Sequence, residues 1–312
     1  MRILMLGAGG TSGYFGGRLA QSGADVTFLV RPARAAALAR DGLRIRSPLG
    51  DADLQVATVT ADALPACVAR APFALVVLGC KAYDLASALD DVAPAMAGAT
   101  LLPILNGLRH FPVLDARFGR DRVLGGLCFI SATLGPGGEI RHLARAASLT
   151  FGVRAGGAPE PRVDLFAKAC AQAGIEHVHG VRIEQAMWSK FTFLATLAAA
   201  TCLMRAPIGD IVASDGGRAF LQALHAECIA VAHAAGEPVE GDARHAALES
   251  LTQPGSPLAA SMLRDLEAGQ RVEAAHIVGD MLQRSHAADL AAPNLAMAWR
   301  HLQAYEARRA RA

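Results

Sequence analysis

The feature that most constrains this chain stands at its start. Ile3 to Leu6 is an unbroken apolar run, and Gly7-Ala8-Gly9-Gly10-Thr11-Ser12-Gly13 follows directly. Such a run suits a strand covered on both faces. A helical pattern resumes near Tyr14 to Ser22, and a second apolar run spans Val26 to Val30. Strand, glycine loop and helix in that order predict a dinucleotide-binding βαβ unit. Gly7 would allow the tight turn. Gly9 would let the backbone approach a pyrophosphate, which then rests on the helix N-terminus beside Gly10 and Thr11. The third small position is Ser12 rather than glycine. Serine still permits close packing of helix on strand, and its hydroxyl could donate to phosphate. The alternative is an ordinary glycine-rich turn without a ligand.

The end of the second strand refines the expectation. A site for NAD places Asp or Glu there to hold the ribose 2′-hydroxyl. Here Val30 is followed by Arg31, Pro32 and Arg34. A guanidinium suits a 2′-phosphate through paired, charge-assisted hydrogen bonds. The expected cofactor is therefore NADP(H), against the alternative of a solvated surface arginine.

The first half of the chain alternates strands and helices. Leu54 to Val59, Ala74 to Leu78 and Thr100 to Ile104 read as further strands, with a helix near Leu85 to Met96. Val123 to Ser131 and Ser148 to Val153 read as later strands, joined through a turn at Leu134 to Gly138. The alternation implies an α/β fold with a doubly wound parallel sheet, a Rossmann domain over 1–180. From about Val181 the apolar spacing is helical. Helices are expected at Ile183 to Leu203, Gly217 to Ala235, Ala259 to Glu267, Glu273 to His286 and Pro293 to Arg308. An all-helical domain over 181–312 results.

Composition excludes several classes. Net charge is +2 over 312 residues, so no strong field favours nucleic acid or a membrane surface. The longest apolar stretch, Phe191 to Met204, has fourteen residues, short of the roughly 20 that span a bilayer. The six cysteines stand alone without zinc spacing and read as small buried hydrophobes in a reducing cytoplasm. No metal site is expected. The alanine-rich helical domain could offer a homodimer surface.

Further motifs follow in order: Lys81 in Leu78-Gly79-Cys80-Lys81-Ala82, Asn106-Gly107, Trp188-Ser189-Lys190, Ser261-Met262 with Asp265 and Gly269, then Glu273 and Gly279. Together with Gly7 to Ala20 they make the chain resemble the ketopantoate reductase (2-dehydropantoate 2-reductase) family nearly end to end. The resemblance implies NADPH-dependent reduction of ketopantoate to pantoate, a step of pantothenate biosynthesis, in a cleft between a Rossmann and a helical domain. It implies that Lys190 is the general acid and that Glu273 sets the catalytic hydrogen-bond network. Ser261 would contact the substrate carboxylate. Asn106 would lie near the nicotinamide ribose and the substrate, and Lys81 at the cofactor rim.

Each role has a plainer rival. Lys190 could snorkel at a helix end, and Glu273 could be a solvated first-turn carboxylate. Ser261 could be an ordinary helix residue, Asn106-Gly107 only a turn, and Lys81 a solvated loop lysine. His276 shares a helix face with Glu273 and reads as a packed histidine.

The chain also departs from the family pattern. The asparagines expected four and eight residues after the lysine are Leu194 and Ala198, on the same helix face. Two more fall on Ile208 and Leu258, and the aspartate after the glutamate is Ala275. An apolar site disfavours a hydroxylated substrate such as ketopantoate. Ketopantoate is the default substrate, and retained chemistry on a more apolar 2-keto acid or related carbonyl is the alternative these departures raise. A β-hydroxyacid or imine reductase and a non-catalytic NADPH-binding sensor are the competing readings.

Overall fold

The computed structural model describes residues 1–180 and 182–311. They fall into two units, Met1–Leu105 with His110–Ile183, and Asn106–Arg109 with Glu184 onward. The boundary expected at Val181 lies outside the described residues.

The first unit runs β1 (Ile3–Leu6), α1 (Gly10–Gln21), β2 (Val26–Leu29), α2 (Pro32–Asp41), β3 (Leu43–Arg46), β4 (Ala52–Leu54), β5 (Ala57–Val59) and α3 (Leu64–Arg70). It continues through β6 (Leu75–Leu78), α4 (Leu85–Val92), β7 (Thr100–Pro103), α5 (His110–Phe118), β8 (Gly125–Leu134), β9 (Ile140–Gly152), α6 (Pro161–Gln172) and β10 (Glu176–His179). The apolar runs become one parallel sheet in the order β5-β2-β1-β6-β7. Strand order reverses beside β1, so the carboxyl ends of β1 and β6 flank the crevice where ligands of such sheets bind. Pro103, which lacks an N–H, sits on the edge strand β7.

A second sheet was not expected. β8 and β9 form a long antiparallel hairpin that turns through residues 135–138, and β9 also pairs in parallel with β3 and β10. The run expected as one strand from Leu54 to Val59 is broken. β4 pairs antiparallel with β3 in the second sheet, while β5 joins β2 in the first.

Helix α1 lies between these sheets, and its glycines explain how. A side-chain carbon at Gly16 would meet the Phe28 ring of β2 at 2.7 Å, and one at Gly17 would meet Ile45 of β3 at 2.7 Å. One at Gly13 would run into Ile140 of β9, and one at Gly10 would stand 2.7 Å from the Ala132 carbonyl oxygen of β8. Ala132 lies at a register shift in β8, a local bend that turns the strand toward the helix. Glycine in a helix costs about 0.5–1 kcal/mol relative to alanine. Here that cost is offset by burying both faces of α1. The helix begins four residues before Tyr14, because the glycines read as loop are its first turn.

The second unit contains α7 (Ile183–Met204), α8 (Ile208–Ala213), α9 (Gly217–Ala234), α10 (Gly241–Leu251), α11 (Ser261–Glu267), α12 (Ala274–Ala287) and α13 (Pro293–Arg309). α9 is the hub, packed by α8, α10, α12 and α13. α7 has no glycine or proline and ends where Arg205 turns to φ 53° before Pro207. By length and apolarity it could cross a bilayer, but 67% of its most apolar stretch is buried in the protein, as in a core helix. Glu227 of α9 caps α13, accepting from the Asn294 and Leu295 backbone N–H groups at 3.1 and 2.9 Å. Helices α2, α3 and α10 escaped the sequence reading because each buries only one side chain, Leu38, Leu64 or Leu251.

A histidine is buried inside this unit. His225 of α9 is 1% exposed and pairs through Nδ1 with Thr196 Oγ1 of α7 at 3.2 Å. Burial, aided by Arg244, pushes its pKa down to about 4. An unfolded histidine takes up its proton near pH 6.5. Between these values the unfolded chain binds more protons, so stability falls as pH drops through that window. Urea unfolding at pH 7 and 4.5 should show this loss. His225→Gln should remove roughly 2 to 3 kcal/mol of the difference, and an unchanged difference would refute the assignment.

Candidate active site

The glycine loop leaves β1 at Gly7, whose φ of 81° favours glycine, and enters α1 at Gly9. Gly9 is the N-cap and offers no side-chain acceptor, and the first turn of α1 carries no acidic residue. The Gly13 N–H closes the first helical bond, to Gly9 at 2.8 Å. The N–H groups of Gly10, Thr11 and Ser12 therefore have no partner within the helix, and they carry the positive end of its dipole. A Cβ at Gly9 would meet no described atom within 4 Å. Ser12 is buried, and its hydroxyl oxygen has no hydrogen-bond partner among the described residues. An open cradle and an orphaned hydroxyl at one helix N-terminus fit a pyrophosphate.

Gly79 completes the cradle. A Cβ there would collide with Ser12 Oγ, so α1 can close on the end of β6 only because residue 79 has no side chain. In the Leu78-Gly79-Cys80-Lys81-Ala82 motif it is Lys81 that carries the family resemblance, and nothing local marks Gly79. Lys81 is half-buried and precedes a short 3-10 turn, Ala82–Asp84. That turn brings Asp84 to Arg31, with 3.5 Å between Arg31 Nη2 and the carboxylate.

Arg31 is the N-cap of α2, and its side chain is 77% exposed. Arg34, three residues on, is the more buried of the two. It donates to the Ala8 carbonyl of the glycine loop at 3.0 Å, and its Nε has no partner among the described residues. Burial, with a smaller contribution from Arg44, lowers its pKa. An incompletely satisfied guanidinium at the loop is a second candidate for an anionic group, and the only sequence signal for it was its proximity to Arg31.

The second unit carries the other cluster. Lys190 lies two turns into α7, half-buried, and its Nζ donates to Asn106 Oδ1 at 3.0 Å. It does not sit at a helix end. Asn106 belongs to the segment 106–109 that follows the β7 strand and packs with this unit. Gly107 has φ 76°, and a Cβ there would stand 2.8 Å from the His276 carbonyl oxygen. Arg109 donates to the Ala275 carbonyl at 3.1 Å. The Asn-Gly pair is therefore clamped on the start of α12.

Glu273 is the N-cap of α12 and is 8% exposed, so it is not a solvated carboxylate. The residues before it are held by α13. Tyr305 donates to the Gln270 carbonyl at 2.6 Å, and the Val272 N–H donates to Glu306 Oε1 at 2.9 Å. His276 is buried behind Gly107, and burial pushes its pKa down to about 4 despite Asp280. It is neutral at physiological pH. Trp188 stacks under Arg284 of α12, 5.3 Å from guanidinium carbon to ring centre, and steadies the turn that presents Lys190.

Leu194, one turn after Lys190, is half-buried, and Ala198 is fully buried. Ile208 and Leu258 meet directly, since the Ile208 N–H donates to the Leu258 carbonyl at 2.9 Å. Ser261 is exposed as the first residue of α11. The hydrogen bonds join Lys190 to Asn106.

Residues 3–156 match the family model described as ketopantoate reductase PanE/ApbA, and residues 182–306 match its C-terminal partner. This chain belongs to the ketopantoate reductase family. It is an oxidoreductase of the 2-dehydropantoate 2-reductase type. It is 36% identical to the uncharacterized oxidoreductase YkpB of Bacillus subtilis, covering 98% of this chain and 99% of the relative. It is 31% identical to the 2-dehydropantoate 2-reductase of Halobacterium salinarum, over 94% and 95%. The crystal structure of 2-dehydropantoate 2-reductase from Geobacter metallireducens superposes with a TM-score of 0.86 at 28% identity, over 97% and 99%.

Within this ketopantoate reductase family member, two neighbouring glycines should behave differently. Gly9→Ala has room in the folded protein but fills the cradle, so its Tm should stay at the wild-type value while affinity for the reduced nicotinamide cofactor, titrated as NADPH and as NADH, falls at least about tenfold. Gly10→Ala presses on the β8 backbone and should lower Tm by several degrees. Calorimetry and cofactor fluorescence titration measure both. Unaltered cofactor binding by Gly9→Ala would refute the cradle.

Proposed function

We propose that the chain is an NADP(H)-dependent 2-keto acid reductase that prefers substrates more apolar than ketopantoate. The observation that carries the reading is the Lys190 ammonium held on Asn106 at 3.0 Å. Residues 1–180 would hold the cofactor and 181–312 the substrate. Gly7, Gly9, Gly10, Thr11 and Ser12 would cradle the pyrophosphate. Arg31 and Arg34 would take the 2′-phosphate, and Lys81 and Asn106 would line the nicotinamide half. When bound, the nicotinamide supplies the hydride.

Reduction places negative charge on the carbonyl oxygen of the keto acid. Lys190 Nζ gives its proton to that oxygen and leaves as a neutral amine, to be reprotonated from solvent. Asn106 fixes the direction of Nζ, and such a positioned acid contributes about 10² to 10⁴-fold. Glu273, held through α13, keeps the network in register. Ser261 is assigned to the substrate carboxylate.

The apolar positions support the substrate preference. Ala198 and Ile208 are fully buried, so the preference rests on Leu194, which is half-buried on the Lys190 face and offers no hydrogen-bonding group. A ketopantoate hydroxyl placed there would lose its water partners without replacement.

A panel of 2-keto acids followed by NADPH absorbance tests the assignment. The kcat/KM for 4-methyl-2-oxopentanoate or phenylglyoxylate should exceed that for ketopantoate at least about tenfold, and Leu194→Asn should narrow the gap. Equal or better use of ketopantoate sinks the preference. Lys190→Ala should cost 10² to 10⁴ in kcat, and unchanged turnover removes the mechanism. For the cofactor, the double variant Arg31→Ala with Arg34→Ala should lower the ratio of NADPH to NADH efficiency at least about tenfold, whereas a constant ratio would count against both arginines.

A further inference from the structure

The second unit holds a cavity that the proposed reaction does not use. It lies between α12 and α13 and has a volume of about 410 Å³, within the usual range for small-molecule sites. Arg109, His286 and Arg300, with Gln283 and Gln303, supply its polar wall, and Leu282, Ala296 and Trp299 its apolar wall. Among the described residues that line it there is no Asp or Glu. Two arginines and a histidine thus line one space without a lining carboxylate among the described residues.

The indole is held in place. A Cβ at Gly279 would stand 3.0 Å from the Trp299 ring, so the glycine lets α13 bring its tryptophan down onto α12. Gly279 is the residue that matched the family's helix motif, and the close packing of Trp299 gives that match a physical reason. Trp299 remains half-buried at the cavity. Arg109 already donates to the Ala275 carbonyl, which anchors its side chain at the same wall.

We propose that this cavity binds a phosphate monoester carrying a flat or apolar group. The charge count selects the phosphate. A monoester carries about −1.5 to −2 at pH 7, which matches two arginines better than a single carboxylate would. Guanidinium forks pair with its oxygens, and the indole with Leu282 and Ala296 shelters the organic part. Arg109 shares the four-residue segment of Asn106, so the site sits on the backbone that positions Lys190.

Phenyl phosphate is the test probe, with inorganic phosphate and phenol as the two halves, measured by calorimetry on the full chain with NADPH present. Phenyl phosphate should bind saturably, with a Kd at least tenfold below that of either half. Arg300, exposed on α13, can be removed without disturbing the core. Arg300→Ala should weaken phenyl phosphate at least tenfold while leaving kcat with the keto acid and the effect of Lys190→Ala as they are. Trp299→Leu should bring phenyl phosphate to the level of inorganic phosphate. Equal binding by wild type and Arg300→Ala, or no advantage of phenyl phosphate over inorganic phosphate, overturns the proposal. Because the binding readouts do not require a keto acid, they stand or fall apart from the reductase assignment.

Discussion

The first unit depends on how closely α1 can approach its neighbours. Two sheets press on this helix, and glycine at positions 10, 13, 16 and 17 lets them come within van der Waals distance of its backbone. The same approach carries the N-terminus of α1 to the end of β6, where Gly79 admits Ser12. The orphaned N–H groups of the first turn are then aimed where the sheet order reverses. Packing and the candidate anion cradle are thus one constraint. A larger residue at any of these positions separates the layers before it alters the chemistry.

The second unit solves a different problem, which is to hold an ammonium and a carboxylate still in a helical core. α7 contributes Lys190, the Asn-Gly segment contributes its acceptor, and α12 begins at Glu273. None of these elements fixes the others alone. Gly107 lets the segment touch α12, Arg109 ties it to Ala275, and Trp188 is pinned under Arg284. The neutral, buried His276 fills the space behind Gly107 without adding positive charge near the ammonium.

Legibility in the sequence followed burial. The strands β1, β2, β6 and β7 are covered on both faces, so continuous apolar runs announced them. Long core helices such as α7 and α12 announced themselves by period. The second sheet did not, because β8 and β9 are only partly buried and pair across a hairpin whose register shifts at Ile130 and Ala132. The site divided in the same way. The glycine loop and Lys190 were read from motifs, while the burial of Arg34, the collision at Gly79 and the clamp of Arg109 on Ala275 depend on tertiary contacts that no local pattern encodes. Glu273 was read with a solvated alternative, and only the neighbouring α13 shows why it is buried.

That last contact has a consequence for how the protein is made. Tyr305 and Glu306 hold the backbone at Gln270 and Val272, just before Glu273. The buried carboxylate therefore rests on residues that leave the ribosome after every other part of the candidate site has been synthesised. A nascent chain with its glycine loop, its lysine and its glutamate already emerged still lacks the brace behind the glutamate. The bracing of Glu273 is in this sense a late event of translation, and a chain cut short before Tyr305 would keep every proposed reacting group and lose the foundation beneath one of them.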